Sequence, residues 1–194
     1  ALFVLVTSLV NGMLPGVTPD ESLVRIRGIE RSSSRGFTIG REFSYPEYAE
    51  YAAQSSLFSA VAAWTSSDVA LDVGRDEESL HSGAATYVTD NYFEVLGIRP
   101  IAGVGLPVHA QSGTDAPDLG AVISHVVWDR FYGRAGDVVG RALKINGVPV
   151  TVVGVAPRRF NGARTGGSQV RVWLPLSARW IVQRSPSQGV PGYD

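Results

Sequence analysis

The side chains best suited to chemistry in this sequence are carboxylates. Asp68 and Asp72 fall on one face of an alternating strand pattern, and Asp76, Glu77 and Glu78 gather at the turn that follows. General acid–base work needs such pairs. A solvated sheet edge explains them without a reaction, because edge charges discourage strand-to-strand aggregation and are never buried. The nucleophile and cofactor motifs fail on inspection. Lys144, the single lysine, is followed by Ile145 rather than the hydroxyl residue that a phosphate loop places on magnesium. Gly103-Val104-Gly105 mimics the start of a dinucleotide fingerprint but lacks the third glycine and a preceding strand. Ser168 lacks the flanking glycine that would complete a nucleophile elbow. With no cysteine, and with His81, His109 and His125 dispersed and read as lacking a second histidine or a carboxylate at helical spacing, no metal site is expected. No catalytic, cofactor-binding or metal residue is therefore assigned, and neither enzyme activity nor a cofactor is expected. Arg158, Arg159 and Arg164, among glycines 162, 166 and 167, form either an ordinary exposed loop or a contact for lipid headgroups or an acidic partner.

The elements around these residues can be read from periodicity. The stretch 23–29 alternates, with Val24 and Ile26 on one face and Arg25 and Arg27 on the other, as a half-solvated strand does. A polar loop is expected over 30–41. Ser44, Pro46 and Glu47 then compose a capping box with proline in the first turn, predicting a helix whose Tyr45, Tyr48, Ala49 and Ala52 face the core. Period two over 68–73, a turn at 74–76 and a return over 79–89 predict a hairpin. A short helix over 91–96 closes at Gly97, and 101–118 has no period and reads as a loop. Residues 120–124 read as a strand, and Ser124 caps a helix ending at Gly133. Asn146-Gly147 between two β-rich runs is the signature of a type I′ hairpin. A last strand over 170–174 and a helix starting near 178–182 complete the pattern, with 185–192 turn-like. Helices interleaved with hairpins predict an α+β fold, mixed and antiparallel sheets with packed helices.

At 194 residues, 44% hydrophobic and 18% charged, the chain can bury one domain's core. Its net charge of −1 with scattered arginines makes nucleic acid an unexpected partner. Residues 1–10 are uncharged and apolar but shorter than a membrane span of about 20 residues. They predict the outer end of a truncated transmembrane helix over 1–14, with a buried strand, a core helix or a signal-peptide remnant as the other readings. On the membrane reading, deletion of 1–14 leaves the melting temperature nearly unchanged.

Several blocks resemble the MacB-like periplasmic core domain: Phe43-Ser44-Tyr45-Pro46-Glu47-Tyr48; Asn91-Tyr92-Phe93-Glu94-Val95-Leu96-Gly97-Ile98-Arg99-Pro100; Ala121-Val122-Ile123-Ser124-His125 with Trp128 and Phe131; and the run from Val139 through Asn146-Gly147 to Pro157, with Phe160 and Gly162. The sequence is similar above all to acidobacterial-type permeases of the MacB, LolC and FtsX superfamily. That resemblance implies an extracytoplasmic domain, over 20–194, between the first two membrane helices of an ABC-transporter permease in a bacterial inner membrane. It implies porter-like βαβ elements plus a second strand-rich subdomain, and a missing C-terminal closing strand and helix. The implied partners are a cytoplasmic ATPase, acting through the membrane helices, and a periplasmic protein or a second permease copy. The implied role is coupling ATPase-driven motion to export or to that partner; the alternative is an extracytoplasmic domain that captures lipid or peptide. After Gly103 the chain departs from the family pattern, since Val104-Gly105-Leu106-Pro107 intervenes.

Overall fold

The computed structural model describes residues 3–6, 23–26, 28–31, 38–54, 56–74, 80–106, 119–163 and 169–184. Strand β5 (Val61–Asp72) organises them. Its first third, Val61, Ala62, Ala63 and Trp64, is buried on both faces, so the strand begins well before the alternation that announces it in the sequence. Along one edge it pairs antiparallel with β6 (Leu80–Val88), from Trp64↔Val88 to Asp72↔Leu80. The other edge is shared. β1 (Phe3–Val6) pairs with residues 61–64, and β9 (Ala142–Ile145) pairs with Leu71 and Asp72.

From β6 the sheet continues through β11 (Val170–Pro175), β8 (Gly120–Ile123) and β10 (Val148–Val155), with β7 (Ala102–Gly103) beyond it. Because β9 joins both β10 and β5, six strands close into a ring in the order β5-β6-β11-β8-β10-β9. The β6–β11 and β8–β10 pairs are parallel and the others antiparallel, a mixed sheet of the expected α+β kind. Helix α3 (His125–Tyr132) lies between the parallel strands β8 and β10, which makes the porter-like crossover. β2 (Val24–Ile26) extends the sheet past β1, while β3 (Gly28–Arg31) and β4 (Thr38–Arg41) form a separate ribbon that starts in the expected strand and runs through the segment expected to be a loop.

Two clusters cover the sheet. Leu71, Tyr87, Ile123, Ile145, Val152 and Leu174 form the first with Val127 and Tyr132 of α3 and with Ala178 and Val182 of α4 (Ala178–Arg184). The second is aromatic: Trp64, Tyr92, Phe93, Phe160 and Trp173, with Tyr92 and Phe93 carried by α2 (Tyr92–Val95). Phe160 stacks on Trp173 at 5.0 Å and Phe93 meets Trp173 edge-on at 6.0 Å.

Helix caps follow the sequence closely. The Ser44 N–H donates to Glu47 Oε2 at 2.8 Å, and the Ser44 hydroxyl oxygen accepts from the Glu47 N–H, so the box at α1 (Tyr45–Ala53) is complete. The buried face of α1 is not the expected one. Tyr45 is 64% exposed, as are Ala49 and Ala52 in kind, whereas Tyr48 and Tyr51 pack with Phe43, Phe58, Val61 and Ala63. The Phe43–Tyr51 edge contact at 5.6 Å sets that rotation, using aromatic residues on both flanks of the helix.

The expected membrane-helix end over 1–14 is, at Phe3–Val6, a strand paired on both sides, with β5 and with β2. Ladders on two edges satisfy the backbone of an apolar tetrapeptide as fully as a helix would. The other residues of 1–14 lie outside the described ones, as do 185–192. Among the described residues no helix is long and apolar enough to cross a membrane.

The Asn146-Gly147 turn joins β9 and β10 with φ of 50° and 79°. Substituting Gly147→Val forces a β-branched residue into that region and should lower stability by about 1–3 kcal/mol. Chemical denaturation of the two proteins checks this.

Candidate coupling and contact surfaces

The carboxylates expected on the β5 face are held apart from any joint chemistry. Asp72 accepts from the Gly74 N–H at 2.8 Å through Oδ1, and its Oδ2 lies 3.6 Å from Lys144 Nζ across the β5–β9 pair. Asp68 is exposed, opposite Ala84 on β6. Residues 76–78, His109, Arg164 and Ser168 lie outside the described residues. His81 stacks on Phe131 at 4.2 Å, tying β6 to α3. His125 and Asp129 are one helical turn apart on α3, a spacing that suits a metal pair and that the sequence reading passed over. Asp129 instead bonds Arg134 at 2.5 Å. That hydrogen bond holds its carboxyl below the usual range, with smaller pulls from the charges of His125 and Arg158. Among the described residues no three potential ligands gather.

Gly103 also has a structural explanation. Its φ is +69°, and a Cβ there would sit 2.2 Å from the Val153 carbonyl oxygen. Gly154 returns the constraint, since its Cβ would come equally close, 2.2 Å, to the Val104 carbonyl oxygen. The pair lets β7 lie tight against β10, where a nucleotide-binding loop would need open amides.

What the surface does offer is apolar side chains. Ile101, Val104 and Val139 are 51%, 66% and 42% exposed and sit together along the β7 edge: the Ile101 and Val104 amides bond Val155 and Val153, and Val139 abuts Gly103. On α4, Trp180 and Ile181 point outward while Ala178 and Val182 are buried. Arg158 and Arg159 are exposed, and Arg158 is close enough to Asp129 of α3 to act on its charge.

Behind these surfaces the aromatic cluster contains one group that titrates. The Tyr92 hydroxyl accepts from the Ala163 N–H at 2.8 Å and lies beside Trp173 Nε1 across Gly162. Burial drives this phenol well above its ordinary 10.0, against weaker opposing effects of that hydrogen bond and of Arg25. Arg25 itself stands 5.1 Å over the Trp64 ring. A phenol whose folded pKa is raised contributes stability that is complete below its unfolded value and lost as pH climbs past it. Unfolding free energy should therefore fall with pH above about 10, with Tyr92 contributing about 1.4 kcal/mol per pH unit. Burial raises Tyr48 and Tyr87 as well. Tyr92→Phe should remove one proton's share of the slope, read from urea melts between pH 9 and pH 11.

Set against known proteins, residues 1–190 match the family model described as MacB-like periplasmic core domain. A probable export ATP-binding/permease protein of Pseudomonas fluorescens (strain Pf0-1) is 31% identical over 88 residues, which cover 45% of this chain and 13% of that protein. The chain thus spans a small part of that relative's length. The crystal structure of the periplasmic region of MacB from Actinobacillus actinomycetemcomitans aligns with a TM-score of 0.51 at 18% identity, over 88% of this chain and 72% of that one, and shares its fold. The extracellular domain of the noncanonic ABC-type transporter YknZ from Gram-positive bacteria aligns at 0.44 and 16% identity, over 63% of this chain and 57% of that one. The chain belongs to the MacB-like periplasmic core domain family, a periplasmic domain of ABC-transporter permeases.

Proposed function

We propose that the chain is the periplasmic part of an export permease in a bacterial inner membrane, and that it passes motion driven by a cytoplasmic ATPase to a substrate or a periplasmic partner. The observation that carries this reading is the double loading of β5. β1, the first described element, pairs with one end of that strand. Toward the other end, Ala70 is bonded to Asn146, whose side chain also holds the Val182 carbonyl of α4, the last described element. A pull on either element therefore reaches the same strand, and the ring of six strands carries it onward as one packed body. On this reading β1 belongs to the domain together with 20–194 and is the element through which a membrane tether acts on the sheet. The apolar side chains of the β7 edge and of α4 supply contacts for a partner or a second permease copy, since exposed apolar patches mark interaction sites.

Coupling separates two quantities that a capture role leaves joined. In vesicles holding the full-length permease and its ATPase, replacing residues 23–184 by a short flexible linker should abolish export while ATP hydrolysis continues. Export that persists would rule out coupling. Export rescued by adding the free domain would favour capture of lipid or peptide.

A further inference from the structure

Asn146 does more than turn the chain. Its backbone N–H donates to the Ala70 carbonyl at 2.8 Å, and its side-chain Oδ1 accepts from the Ala70 N–H at 2.8 Å. The two bonds imitate one rung of a β-ladder, with a side chain taking the place of a carbonyl, and they carry the β5–β9 pairing one residue past Ile145. The remaining amide group, Nδ2, donates to the Val182 carbonyl at 3.2 Å. Val182 lies in the last turn of α4, where carbonyls have no partner within the helix.

The turn alone does not require this residue. At φ 50° glycine and aspartate serve as well. Only asparagine combines tolerance of that backbone with both an acceptor for Ala70 and a donor for Val182. We propose that Asn146 is a two-way latch that makes α4 and β5 move as one body. The inference rests on the coupling reading above for its purpose, though not for its test. Hydrogen exchange on this chain alone decides the latch, and the export measurement decides coupling.

Two substitutions separate the arms while keeping the turn. Asn146→Asp retains the acceptor for Ala70 but loses the donor and sets a carboxylate against the Val182 carbonyl. Amides of α4 should then exchange about threefold to tenfold faster, the size expected for one lost hydrogen bond, while the Ala70 amide stays as protected as before. Asn146→Gly removes both side-chain bonds and keeps only the backbone one, so Ala70 and α4 should accelerate together. Amide-resolved exchange by NMR reads both. If α4 exchanges at the original rate in the two variants, Asn146 is a turn residue only. Uniform acceleration across the whole chain would make it a residue for global stability, and either result overturns the latch.

Discussion

Trp173→Ala is expected to cost about 3–5 kcal/mol, the range for deleting a large aromatic from a core that cannot collapse around the gap. Trp173 has no exposed surface and is the centre of the aromatic cluster, touching both Phe93 of α2 and Phe160 of the segment after β10. Each such ring pair adds about 0.5–1.5 kcal/mol beyond area burial, so three rings lose packing at once. The residue also sits on β11 in register with Thr86 of β6 and Val122 of β8, which places the cavity against the ring of strands itself. Urea denaturation compared with the unsubstituted chain measures the loss. A change below about 1 kcal/mol would mean that the cluster is loosely packed.

Deleting residues 1–14 should lower the melting temperature by about 10–20 °C. β1 lies between β2 and β5, and its removal leaves the 61–64 third of β5 with one edge unpaired and β2 without its only ladder partner among the described residues. At about 1 kcal/mol for each of several backbone hydrogen bonds, the loss reaches about 3–6 kcal/mol, and in a chain of this size each kcal/mol moves the midpoint about 2–4 °C. The membrane-helix reading of the same residues expects an unchanged midpoint and better solubility. Calorimetry on the truncated and intact chains separates them, and an unchanged midpoint would remove β1 from the folded sheet.

The difference over residues 3–6 shows where sequence patterning stops. A run such as Phe3-Val4-Leu5-Val6 is apolar in either setting, and its partners, Val61 to Trp64 and Val24 to Ile26, are distant in the chain, so periodicity has no means of choosing. Local signals fared better because their physics is local. The Ser44 and Ser124 caps, the left-handed Gly97 and Gly133, and the Asn146-Gly147 turn all stand where the residues place them. The phase of α1 was misjudged because two faces of the helix are aromatic or small, and Phe43 and Phe58, outside the helix, decide between them. The role of Asn146 was half legible: its type announces the turn, but Ala70 and Val182 are 76 and 36 residues away. Likewise Gly103 looks like a fragment of a dinucleotide fingerprint until β7 is seen lying on β10 against Gly154. The apolar surface of Ile101, Val104, Val139 and Trp180 had no signal at all, since an exposed apolar residue and a buried one look alike in a single sequence.

If the domain transmits membrane motion as one body, distances will show it. The 194 residues contain no cysteine, so one introduced at Asp68, exposed on β5, is the domain's only thiol and can carry a donor dye. In the full-length permease, cleared of its other cysteines and reconstituted with its ATPase, energy transfer from that dye to an acceptor at the outer membrane surface should change between the nucleotide-free and ATP-bound states. Transfer between Asp68→Cys and Gln183→Cys within the domain should stay constant. A dye-to-membrane distance that ignores ATP, or a change confined to the internal pair, would contradict the account.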